Sequence, residues 1–161
     1  MITVNEEKCY TEFIVEDYFP VIVSANDYID SISYIEYSCD VNSLLEFTVN
    51  KTSKQFYRMK LILCKKFVKQ DENMTLPVSY TEGTILMDVP EKNVPETLTA
   101  TVYLDGVEIR LSDNDVEQYY KNGDIFFGVD ANGTLCIVKV YGLSETDVEH
   151  VLNELRYQVH E

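Results

Sequence analysis

Residues 97–117, TLTATVYLDGVEIRLSDNDVE, decide how this chain is read. Leu98, Ala100, Val102 and Leu104 alternate with polar residues up to Asp105-Gly106, and Val107 to Leu111 resumes the alternation. Asp-Gly between two such runs predicts a β-hairpin, because both central residues of the tight turn need positive φ. Leu111-Ser112-Asp113-Asn114-Asp115-Val116-Glu117 then has the form of a helix start. Ser112 is placed to accept an N–H three residues on, Asp115 supplies a shortened reciprocal half of a capping box, and Leu111 and Val116 form a hydrophobic staple.

Working outward, the same order recurs. Ile125 to Val129, Ala131-Asn132-Gly133 and Leu135 to Tyr141 predict a second hairpin, and Leu143-Ser144-Glu145-Thr146-Asp147-Val148-Glu149 repeats the helix start. The last helix places Val148, Val151, Leu152, Leu155 and Val159 on one stripe. The earlier one is short and stops at Asn122-Gly123, an αL cap. The first half echoes the second: Leu45 to Asn50 resembles Ile125 to Asp130, and Met59-Lys60-Leu61 resembles Val138-Lys139-Val140. A hairpin over 44–49 and 55–64 follows, with a helix from Ser53 to Lys69 as the alternative, since Phe56, Met59, Leu63 and Phe67 keep helical spacing. In 27–39 the isoleucines favour strand, yet Tyr28, Ile32, Ile35 and Cys39 fall on one helical stripe, and helix is the reading taken. Short strands are expected over 19–23, 78–80 and 84–89, with a connector between Pro90 and Pro95. The expected fold is α+β: antiparallel hairpins, a duplicated strand–strand–helix unit in the C-terminal half, and a C-terminal helix packed on the sheet. Residues 1–161 suit one domain, with pseudo-repeat halves 1–92 and 96–161.

Charge is unevenly spread. Residues 1–48 carry ten acids and one base, residues 49–70 seven bases and no acid, and residues 71–161 eighteen acids and five bases, for a net charge of −15. Such a surface repels phosphate backbones, so direct nucleic-acid binding is not expected; only Lys51 to Lys69 offers a basic stripe. The opening MITVNEEKCY lacks the basic and apolar regions of a secretory signal, and no apolar run is long enough for a membrane helix. Cys9, Cys39, Cys64 and Cys136 form no C-x-x-C pair, which reads as reduced thiols in a cytoplasmic protein.

Residue patterns for catalysis are sparse. His150 lies opposite the apolar stripe of the last helix and His160 is penultimate, without an orienting partner in view. Asp113, Asp115, Glu117 and Asp124 imitate a calcium loop, but Gln118 stands where that loop needs Gly. No nucleophile elbow, phosphate loop or dinucleotide fingerprint is present, so no enzyme, cofactor or metal is expected. Tyrosine is more informative: Tyr10, Tyr18, Tyr28, Tyr34 and Tyr37 lie in or beside a stretch, Tyr10 to Asn50, that holds eight acids and neither Lys nor Arg. With 27–39 helical, Asp27, Asp30, Tyr34 and Tyr37 share the face turned from the core, a surface suited to covering a basic target.

Residues 107–144 resemble a short bacterial domain family of unknown function. The pattern is carried by Ile109-Arg110-Leu111-Ser112-Asp113, Gly123, Asp130, Gly133 and Val138 to Tyr141, although the family has Gly-Ile-Glu where Val138-Lys139-Val140 stands here. In that family the stretch matching Val116 to Tyr120 is extended, and members are often encoded beside small toxin-like proteins. The resemblance implies an antitoxin-like role. Together with the charge and the tyrosines, it leads to the expectation of a non-enzymatic inhibitor, an immunity, antitoxin-like or counter-defence protein, that masks a basic partner such as a nuclease. The alternative is an accessory subunit of an assembly, whose acidity serves solubility.

Overall fold

The computed structural model describes residues 2–5, 10–25, 29–88 and 95–160. In chain order the strands are β1 (Ile2–Asn5), β2 (Thr11–Phe13), β3 (Val21–Ala25), β4 (Ile32–Tyr37), β5 (Ser43–Asn50), β6 (Phe56–Cys64) and β7 (Phe67–Lys69). There follow β8 (Thr81–Glu82), β9 (Thr84–Met87), β10 (Thr99–Val102), β11 (Gly106–Arg110), β12 (Gln118–Asn122), β13 (Ile125–Val129) and β14 (Leu135–Tyr141), and then helix α1 (Glu145–Val159). One sheet has the order β2-β3-β6-β5-β4, a larger one β7-β10-β11-β14-β13-β12-β8, and β1 pairs with β9 alone.

The fold is therefore mostly β with a single helix among the described residues, not α+β with a repeated strand–strand–helix unit. The expected first helix fails at Ser112. Its hydroxyl accepts from Asn114 N–H at 3.3 Å, two residues on, which closes a local turn instead of a helix cap. Glu117 N–H then donates to the Val129 carbonyl (2.7 Å), and Gln118 to Asn122 continue antiparallel to β13. Ten residues separate Ser112 from Gly123, short of the roughly 12–15 that a helix needs to stand on its own hydrogen bonds. Tyr119 and Tyr120 pair well in a sheet.

Residues 32–37 are likewise strand, not helix, and pair in unbroken register with β5 from Ile32↔Asn50 to Tyr37↔Leu45. The hairpin reading of 44–64 holds: β5 and β6 are antiparallel neighbours. Residues 78–80 form no strand, β8 being Thr81–Glu82, and the connector around Pro90 lies outside the described residues.

The two larger sheets face each other across one core. Phe127 of β13 meets Phe47 of β5 and Phe56 of β6 with ring centroids 6.0 and 5.3 Å apart. Ile35, Leu45, Met59, Leu61, Ile109 and Val138 fill the same buried cluster. Helix α1 lies against β6 and β10, burying Val148, Val151, Leu152 and Leu155. Val159, expected on that stripe, is exposed, and the buried position beside it is Gln158.

The internal echo has a structural counterpart. The β5–β6 pairing shifts register between Thr48 and Val49, and the β13–β14 pairing shifts between Gly128 and Val129, the equivalent positions. Asn50 Oδ1 accepts from the N–H groups of Thr52 and Ser53, as Asp130 Oδ1 accepts from those of Asn132 and Thr134. The left-handed residues that complete the two turns are Lys54 and Gly133.

Candidate functional site

Strand β4 forms one edge of the five-stranded sheet. Its period-two alternation turns Ile35 inward, fully buried, and brings the Tyr37 ring edge-on to Phe47 at 5.8 Å. Burial raises the Tyr37 hydroxyl from 10.0 to about 12. Ile32, Tyr34 and Glu36 point the other way and are exposed, Tyr34 by 57%. Asp30, just before the strand, accepts from Asn50 Nδ2 at 2.9 Å. Of the four residues expected on one face, Asp30 and Tyr34 are exposed beside β4, Tyr37 is turned into the core, and Asp27 lies outside the described residues. The helical grouping fails because residues three apart on a strand point to opposite faces.

The register carries Tyr34 across the outer face through Thr48, Arg58 and Ser24 to Glu12, and Glu36 through Glu46 to Lys60. The two bases on this face are engaged locally. Arg58 Nε donates to Ser24 Oγ at 2.7 Å, and Lys60 Nζ sits 4.8 Å from the centre of the Phe19 ring.

At the opposite edge, the turn Glu16-Asp17-Tyr18-Phe19 between β2 and β3 forms a second exposed patch. Phe19 N–H donates to the Glu16 carbonyl (3.3 Å), and Tyr18 adopts φ +74°. That conformation costs a non-glycine residue about 1 kcal/mol. Three contacts to α1 hold it: Tyr18 N–H donates to Glu154 Oε2 (3.1 Å), the Tyr18 and Tyr157 rings lie 6.2 Å apart, and His150 Nε2 bonds the Phe19 carbonyl (3.0 Å). Val15, Tyr18 and Tyr157 are all exposed beside Glu16 and Asp17. Without Gly or Asn at its third position, this turn left no signal in the sequence. His150, expected as a free surface residue, is one of its supports.

The remaining chemistry is structural. Asp113, Asp115 and Glu117 lie on the loop before β12 and Asp124 beyond its far end, where Asp124 N–H bonds Thr11 Oγ1 (2.7 Å). Among the described residues no three His, Cys, Asp or Glu side chains are grouped to hold a metal. Cys39, Cys64 and Cys136 are free thiols; burial pushes Cys64 up to about 12 and also raises Cys136. Burial alone would raise Asp130, but N–H donation from Thr134 and Asn132 and the Asn114 amide outweigh it and lower its pKa. A cavity of about 180 Å³ lies between Thr11, Asp124 and Asp147, and another of about 340 Å³ between Val78 and Tyr119. No described helix is long and apolar enough to cross a membrane.

No protein-family model matches this chain, and no curated protein matches it.

Proposed function

We propose that this protein is a non-enzymatic acidic inhibitor, working in the reducing cytoplasm, that masks a basic, nucleic-acid-acting protein. One observation carries the reading. Six of the thirteen large apolar side chains exposed among the described residues, Tyr10, Val15, Tyr18, Ile32, Tyr34 and Val41, fall within Tyr10 to Asn50, the stretch with eight acids and no base. Exposed tyrosine supplies contact area at low entropic cost. The surrounding field attracts a cationic partner over a distance of about one Debye length, roughly 10 Å at 0.1 M salt. Val78, wholly exposed between Leu76 and Tyr80 on the segment before β8, favours a second reading, an accessory subunit that seats this apolar segment in an assembly.

Affinity capture from the organism that encodes the protein separates the two. A single stoichiometric basic protein, released by salt and lost with Tyr34→Ala or Tyr18→Ala, supports the inhibitor. A multi-protein assembly lost with Val78→Asp but kept by the tyrosine variants supports the subunit.

A further inference from the structure

Tyr18 stands at φ +74°, in the left-handed region where glycine or asparagine is the ordinary choice. Its side chain does not offset that strain by burial. The ring is 68% exposed, and its one described ring contact is Tyr157, itself 52% exposed and tilted 57° to it. The backbone beneath the ring is fixed by the bond from Tyr18 N–H to Glu154 Oε2 and by His150 at the Phe19 carbonyl. An aromatic pair is thus held outward before any partner arrives, which lowers the ordering cost of binding. Its surroundings define what it fits. Glu16 and Asp17 precede Tyr18 and are exposed, and the described ion pairs use other carboxylates, those of Asp71, Glu82 and Glu108. Cations lie over the rings of Tyr57, Phe19, Tyr80, Tyr141 and Tyr119, but among the described residues over neither Tyr18 nor Tyr157.

Resting on the basic partner proposed above, we infer that the Tyr18–Tyr157 pair receives an arginine side chain of that partner. Its guanidinium lies against the rings, and its N–H groups face the carboxylates of Glu154, Glu16 and Asp17. A planar guanidinium suits this combination because it stacks on aromatic faces while its N–H fork pairs with carboxylates. Lysine, a compact and strongly hydrated point charge, cannot stack in that way. Charge also selects this occupant over a second copy. The base that a copy would offer beside this patch is exposed Arg156, but each copy carries −15.

The test uses the full chain and two peptides of equal charge, acetyl-(Gly-Arg)3-amide and acetyl-(Gly-Lys)3-amide, followed by NMR at low salt. The arginine peptide should bind at least about threefold tighter and shift the ring protons of Tyr18 and Tyr157. Tyr18→Gly removes the ring, keeps the net charge and suits the left-handed backbone. Its thermal midpoint should stay within about 3 °C of the parent or rise, and the arginine peptide should bind it no tighter than the lysine one. Glu154→Gln keeps an acceptor for the Tyr18 N–H. It should weaken the arginine peptide more than Asp113→Asn, the same change in charge on the exposed loop before β12. Equal binding of the two peptides, no binding of either, or an arginine preference that survives Tyr18→Gly would overturn the site. So would a larger fall in the Tyr18→Gly midpoint, which would make the ring a prop of the fold. A concentration-dependent dimer abolished by Arg156→Gln would overturn it in favour of a second copy. Failure with these peptides while the basic partner is still captured refutes the arginine site alone. The expected peptide behaviour without a captured partner refutes the partner alone.

Discussion

Gln158 donates through Nε2 to the Ile62 carbonyl (2.7 Å) and accepts at Oε1 from the Cys64 N–H (3.0 Å). Strand β3 stops pairing with β6 at Val21↔Leu61, because Pro20 has no N–H to offer, and the Gln158 amide serves the next stretch of β6 as a peptide unit would. Gln158→Leu should leave a buried donor and acceptor unpaired and cost about 2 kcal/mol in urea unfolding, whereas exposed Val159→Ala should stay within about 0.5 kcal/mol. Equal effects would mean that the clamp contributes nothing. Tyr37 yields a pH dependence. The unfolded chain loses its proton near 10.0 while the folded state holds it to about 12. Its contribution is fully present below pH 10 and is lost as pH rises from 10 to 12, by about 2–3 kcal/mol. Urea midpoints followed from pH 9 to 11.5 should fall less steeply in Tyr37→Phe; identical slopes would show that Tyr37 ionises freely in the fold.

Two elements show how far local chemistry reaches. At α1, Asp147 N–H donates to Ser144 Oγ (3.1 Å) and Ser144 N–H to Asp147 Oδ2 (3.3 Å), the capping box read from the sequence. Ser144→Ala should cost about 1 kcal/mol, and Leu155→Asp, which buries an unpaired charge, several times more. Negligible effects from both in thermal unfolding would mean that the helix is undocked. The near-identical Ser112 stretch makes a turn that leads into strand β12 because a cap signal is only local: a 15-residue helix with an apolar stripe follows Ser144, whereas Gly123 cuts the earlier segment short and its residues from Gln118 pair with β13. In 27–39 the isoleucines and tyrosines satisfied both periods, and the pairing with β5 that resolved them is long-range and invisible in the segment itself. That is why Asp30 and Tyr34 were legible as surface and Tyr37 was not. The Tyr18 turn was hidden for a related reason, since the residues that hold it lie on α1, more than 130 positions away.

Across the whole molecule, the sandwich places the base-free segment along both edges of one sheet, with the β2–β3 turn at one side and β4 at the other. The bases of 51–69 do not form the continuous stripe that composition allowed, because Arg58 and Lys60 are held by Ser24 and Phe19. Acidity and exposed tyrosine thus coincide at the sheet edges, and the most direct test is the kinetics of the captured basic partner. Asp30→Lys should lower the association rate several-fold and flatten its salt dependence, and Tyr34→Ala should speed dissociation. Asp113→Lys, on the exposed loop before β12, makes the same change in net charge elsewhere and serves as the control. The expected result is slow association for Asp30→Lys only, with fast dissociation for Tyr34→Ala. Equal slowing by Asp30→Lys and Asp113→Lys, with no effect of Tyr34→Ala, would contradict binding at β4 and leave only bulk negative charge.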